Sequence, residues 1–386
     1  MKDKFIAKRY WNLQPSAMAA ASSIAPRDDL INLTVGDPDI NTDERVIKLA
    51  MEDALKGHTH YTTQRGDEEL RAEIIKQYKE DYGMEIADEE IFVEASGNLA
   101  MFLVLEAIID EGDEVLIIDP FYPPYPDQVA MVGGVPVFVP TCPEKGFQVE
   151  QSAIEAKISN RTKAIIVNTP CNPTGVCMTK ETLCGIAATA IKHDLIVIAD
   201  DIYTAYSYMA PFVPIASLPK MRERTIIINS FSKNYIMTGW RLGNIIAPPY
   251  IAQLIADINE NVVFTAPAIS QRAAIHAIRM RKDIQAKVVG EFQSRVEYVA
   301  NRIKNIPGMA CLDPEGAFYV FADVRPSGLT SQEAVDLLWN TAGVATLPGT
   351  TFGASGEGFI RLSCTVGMDK LKEAMDRIEK LHEFMA

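Results

Sequence analysis

The sequence predicts an α/β protein, with a mostly parallel sheet in a large domain and a smaller α+β domain after it. Three observations predict this. Short apolar runs rich in β-branched residues recur through the middle of the chain, helix-length segments separate several of them, and beyond residue 283 the pattern shifts toward alternation.

The runs lie at 114–119, 135–140, 163–168, 195–200, 225–230 and 243–247. Each is continuous where a half-buried strand would alternate, as expected of strands covered on both faces. Segments 98–111 and 179–193 read as connecting helices, and 249–305 reads as long helices interrupted near Pro267. Alternation in AFYVFADV (317–324) and FIRLSC (359–364) predicts two half-buried strands, flanked by helical patterns at 331–342 and 367–384. The expected organisation is a large domain over 45–282 and a small one over 283–386, to which the N-terminal segment 1–44 also belongs.

Composition narrows the partners. The 386 residues include 37 basic and 51 acidic ones, and a net charge of −14 argues against a phosphate-backbone footprint or an anionic membrane surface. A small-molecule partner is expected. Cys142, Cys171, Cys177, Cys184, Cys311 and Cys364 form no C-x-x-C pair, and no histidine stands at metal-ligand spacing, so no metal is expected. No run reaches the roughly 20 apolar residues of a membrane span, and the start MKDKFIAKRYWNLQP lacks a signal-length apolar core. The expectation is an unexported cytoplasmic protein with reduced thiols.

In an open α/β sheet, ligands bind beyond the carboxyl ends of the strands. Three consecutive strand ends carry an unusual set of residues: TPCNPTG after 163–168, a pair of aspartates and Ile202-Tyr203 at 200–203, and SFSK at 230–233. They offer an amide, a carboxylate and an amine. The turn at Ser96, Gly97, Asn98 and Leu99 opens a helix, and helix N-termini bind anions. Arg361 falls on a predicted strand, where a buried guanidinium needs an anionic partner.

Four motifs occur in order: NPTG at 172–175, ADDIY at 199–203, SFSKNYIMTGWRLG at 230–243 and GFIRLS at 358–363. Each is weak singly. Together they resemble the fold-type I, class I/II aminotransferases that depend on pyridoxal phosphate, over nearly the whole chain. The resemblance implies an aspartate-aminotransferase-like fold and transfer of an amino group between an amino acid and a 2-oxo acid.

It also implies roles. Lys233 would hold pyridoxal 5′-phosphate as a Schiff base and move the proton at the substrate Cα. Asp200 would face the pyridine nitrogen, with Tyr203 and Asn172 on the phenolic oxygen and Tyr122 against the ring. Gly97, Asn98, Leu99, Ser230, Ser232 and Arg241 would hold the phosphate. The family often has a hydroxyl residue where this chain has Asn98. Arg361, Gly36 and Asn172 would take the substrate carboxylate, and Tyr61, in HTHYTTQRG (58–66), would reach the phosphate of a second copy in a homodimer with shared sites.

Plainer readings exist for each position: a solvated lysine, a turn asparagine, a core tyrosine. They do not explain why all stand at strand ends in this order. A Cβ–Sβ lyase would share every residue named. A nucleotide-dependent oxidoreductase would need a G-x-G-x-x-G after the first strand, which is missing, and a cofactor-binding regulator would need an added DNA-binding domain. The substrate side chain is left open, because its pocket draws on loops and the segment from Ile6 to Leu13.

Overall fold

The computed structural model describes residues 4–7, 10–11 and 29–384. Lys8, Arg9, Asn12 and Leu13, and half of the segment 1–44, lie outside the described residues.

Seven strands form the central sheet: β2 (Ile91–Glu94), β3 (Glu114–Asp119), β4 (Val135–Pro140), β5 (Thr162–Asn168), β6 (Ile196–Asp200), β7 (Thr225–Ser230) and β8 (Gly243–Ile246). Their order is β2-β8-β7-β6-β5-β3-β4, and only β8 runs antiparallel to its neighbours. β1 (Ile31–Asn32) lies apart from this sheet and pairs in parallel with β11 (Val344–Ala345). Every residue of β3 is buried, and β5, β6 and β7 are nearly so. The edge strand β4 is covered less. Each Ile, Val or Leu fully buried here contributes roughly 1.5–3 kcal/mol.

Helices cover both faces: α1 (Glu44–Leu55), α2 (Glu68–Tyr82), α3 (Gly97–Ile108), α4 (Pro124–Met131), α5 (Gln151–Glu155), α6 (Lys180–Lys192), α7 (Phe231–Asn234), α8 (Pro249–Glu260) and α9 (Ala268–Arg279). One apolar layer packs α3 and α8 on the sheet, and another packs α6 on the opposite face. Asp43, Asp67 and Ser96 cap α1, α2 and α3 by accepting from backbone amides, which satisfies donors a helix start leaves free.

The 23-residue helix α10 (Arg281–Ile303) leads into a four-stranded antiparallel sheet, ordered β12-β13-β10-β9. Its strands are β9 (Ala310–Cys311), β10 (Tyr319–Asp323), β12 (Leu347–Pro348) and β13 (Phe359–Ser363), backed by α11 (Ser331–Leu337) and α12 (Met368–Ile378). Alternation does not describe these strands. β13 is buried throughout and β10 nearly so, because both join the apolar core that helices and the central sheet share.

Candidate active site

Three adjacent parallel strands aim their carboxyl ends at one place. In register, Asn168 at the end of β5 pairs with Asp200 at the end of β6, and Asp200 pairs with Ile228 of β7. Beyond these ends lies a cavity of about 330 Å³. Asn172, Asp200, Tyr203, Ser230, Ser232 and Lys233 line it from the strand ends. Gly97, Asn98 and Tyr122 close one side, with Gly36 and Arg241 on others.

Lys233 sits on the single turn α7, directly after β7. Its Nζ donates to the Gly36 carbonyl at 2.6 Å. Burial is the largest influence on this amine, and together with the charges of Arg241 and Arg361 it outweighs the opposing pull of Asp37 and lowers the pKa to about 8. Near neutrality roughly a tenth is therefore the free amine, the nucleophilic and basic form, against well under a hundredth for an ordinary lysine.

Asp200 is buried and its Oδ2 accepts from the Tyr125 hydroxyl. Burial pushes this carboxyl up to about 6, against the opposing hydrogen bonds from Tyr125 and the Ile202 amide, and among the described residues Oδ1 has no hydrogen bond of good geometry. Such an oxygen asks for a donor, best of all a cationic one. Asn168 stiffens the same corner, donating from Nδ2 to the Asp200 carbonyl at 3.0 Å and accepting from the Asn172 amide at 2.9 Å.

Arg361, on β13, is fully buried beside the cavity. Its guanidinium donates to Asn172 Oδ1 at 2.9 Å and to the Thr34 carbonyl, and lies 4.6 Å and 4.7 Å from the ring centres of Tyr319 and Phe352. Among the described residues no carboxylate meets it, and Nε is unpartnered. Burial lowers its pKa. A buried cation with only neutral partners suits an anionic ligand.

The opposite end is built for a different anion. α3 starts at Gly97, where a Cβ would come within 3.1 Å of Ile202 and 3.3 Å of Ser230. Ser96 Oγ accepts from the Leu99 amide at 3.1 Å, so that amide is already engaged. Ser230 Oγ accepts from the Ser232 amide at 3.1 Å. Arg241 takes the left-handed conformation at φ 55°, which is costly for a residue with a side chain, and among the described residues its guanidinium makes one hydrogen bond, to the Thr238 carbonyl at 2.9 Å.

Tyr203 and Tyr319 share a hydroxyl hydrogen bond of 2.8 Å, and burial raises both pKa values. Tyr122 packs edge-to-face on Tyr125, and burial pushes its hydroxyl up to about 12. Tyr61 lies outside the cavity, 81% exposed, with its ring edge on Phe264. Among the described residues no cluster of three or more His, Cys, Asp or Glu side chains could hold a metal, and no helix is long and apolar enough to cross a membrane.

Tyr125, Asn168 and Tyr319 were not singled out from sequence. Asn168 could have been, since it ends a predicted strand. Tyr125, three positions after Tyr122 on the first turn of α4, carries only a weak signal, and Tyr319 carries none before its strand is placed against Gly36.

The sequence pattern described as aminotransferase class I and II matches residues 28–378. The chain belongs to that family. This aminotransferase is 34% identical to the aspartate aminotransferase of Geobacillus stearothermophilus, over 99% of this chain and 100% of that one. It is 36% identical to aromatic-amino-acid aminotransferase 2 of Thermococcus litoralis, over 92% of each. The solved aspartate aminotransferase of Thermus thermophilus with maleate superposes with a TM-score of 0.92 at 31% identity, covering 97% of this chain and 99% of that one. The enzyme is thus a transaminase of the aspartate-aminotransferase fold, moving an amino group between an amino acid and a 2-oxo acid.

Proposed function

We propose that the aminotransferase binds pyridoxal 5′-phosphate through Lys233 and fixes the substrate α-carboxylate on Arg361. What supports this reading most is one juxtaposition: a lysine amine with a depressed pKa and a buried carboxylate border one cavity, and a buried arginine with no carboxylate partner among the described residues stands directly behind the cavity residues Asn172 and Tyr319.

The residues fit the cofactor. Asp200 lines the cavity, Tyr125 holds its Oδ2, and Oδ1, without a hydrogen bond among the described residues, could accept from a pyridine N–H. The phosphate suits the end of the cavity where α3 begins, with Gly97 and Asn98 on the first turn, Leu99 beside them, and the hydroxyls of Ser230 and Ser232 and the fork of Arg241 around them. Tyr122 would flank the ring, and Tyr203 and Asn172 would serve the phenolic oxygen.

Bound there, the cofactor supplies an electron sink for charge leaving the substrate Cα. The chain's residues do the rest. Arg361 and Asn172 hold the α-carboxylate, with the Gly36 backbone beside it. Lys233 Nζ takes the proton from the substrate Cα and returns it, and a pKa near 8 suits an amine that must both accept and release it. Gly36 has to be a glycine, because a Cβ would fall 2.2 Å from the Tyr319 hydroxyl.

The carboxylate seat is tested by Arg361→Lys. A point charge in place of a planar fork should raise KM and lower kcat/KM by roughly tenfold or more for every donor alike. Steady-state kinetics with several amino acids reads this. An effect confined to dicarboxylic donors would move Arg361 to the substrate side chain.

The reading includes a homodimer in which Tyr61 of each chain completes the other's phosphate site. Supporting it, Tyr61 stands outside its own cavity in an exposed apolar patch with Val262 and Phe264. Tyr61→Phe chains mixed with Lys233→Ala chains should then recover activity, up to half the wild-type value per heterodimer, because one site collects both lesions and the other none. Confirmed heterodimers without recovery would return Tyr61 to its own chain's site.

A further inference from the structure

Tyr125 and Gln128 stand one turn apart on α4, and both line the cavity. Tyr125 braces Asp200 at one end of it. Gln128 reaches the other, where α3 begins. Its Nε2 donates to the Asn98 carbonyl at 2.8 Å and lies 3.4 Å from Asn98 Oδ1. Two oxygens facing one NH2 group fix which way the Gln128 amide points, since the reverse orientation would set oxygen against oxygen.

The same contact orients Asn98, the second residue of α3, whose side chain is ambivalent toward an anion: Nδ2 would donate to it and Oδ1 would repel it. With Oδ1 drawn toward Gln128, Nδ2 is the end left for the cavity, which Asn98 also lines. Gln128 has little other reason to be an amide. It is buried, with Leu99, Phe102 and Met131 nearby, and its Oε1 makes no hydrogen bond among the described residues, a cost that an apolar side chain of the same length would avoid.

We propose that Gln128 is a positioning residue for the cofactor phosphate: it turns Asn98 so that Nδ2, and not Oδ1, meets a phosphate oxygen. The proposal rests on pyridoxal 5′-phosphate occupying the cavity with its phosphate at the start of α3.

The test is binding to the cofactor-free protein, by titration with pyridoxal 5′-phosphate and with pyridoxal, which lacks the phosphate. Gln128→Met keeps the length of the side chain and suits its apolar surroundings, so folding tolerates it. It should weaken pyridoxal 5′-phosphate about tenfold, the order of one hydrogen bond to a charged group, and leave pyridoxal within about twofold. Asn98→Ala should cost about as much, and the double variant no more than either alone. An equal loss for both ligands would mean a packing defect and overturns the proposal. Losses that multiply in the double variant overturn it too, because Gln128 would then act without the Asn98 side chain, and so does an unchanged affinity in Gln128→Met. Failure of the underlying cofactor reading looks different, since the wild type would itself show no preference for pyridoxal 5′-phosphate over pyridoxal.

Discussion

Lys233→Ala should still bind pyridoxal 5′-phosphate but lose nearly all turnover. Removing a positioned base alone costs about 10²–10⁴-fold, and here the covalent attachment goes with it. A packing explanation is weak, because Nζ makes a single hydrogen bond, to the Gly36 carbonyl, and a lysine truncated at a cavity leaves little unsatisfied. Steady-state kinetics together with cofactor content separates the possibilities. Retention of more than about a tenth of the activity in the loaded variant would move the base to another residue.

Asp200→Asn should leave the fold intact and slow proton abstraction by about 10²-fold or more, because a neutral amide no longer favours a protonated pyridine nitrogen. Asp201 is the control. It too is buried with a raised pKa, but it stands near Tyr78 and Tyr82 and does not line the cavity, so Asp201→Asn should not slow the single-turnover rate comparably. Cofactor-free protein gives a second readout. The folded state raises Asp200 from 3.8 to about 6, so the stability this group contributes is full below pH 3.8 and lost as pH rises through 6. Asp200→Asn should therefore raise the Tm of the cofactor-free protein at pH 7–8. Wild-type single-turnover rates in Asp200→Asn would transfer the role to Asp201.

The central sheet was legible because its strands are buried on both faces, and continuous β-branched runs mark such strands directly. β2 escaped, since IFVE offers only four residues before the polar turn. The C-terminal antiparallel sheet misled for the opposite reason. Tyr319 to Asp323 alternate in type, yet four of the five are buried, since Tyr319 packs toward Arg361 and Tyr203 while its neighbours face the helices.

Residues at strand ends could be found because topology alone brings them together. Contacts made across the fold could not. Nothing near position 125 announces a bond to Asp200. The absence of a carboxylate around Arg361 is likewise a property of the packed chain.

Borohydride reduction of the purified, cofactor-loaded enzyme, followed by mass spectrometric mapping, tests the central claim most directly. A single pyridoxyl-phosphate adduct on Lys233, absent from Lys233→Ala, is the expected result. An adduct on another lysine, or none from enzyme that turns over, would contradict it.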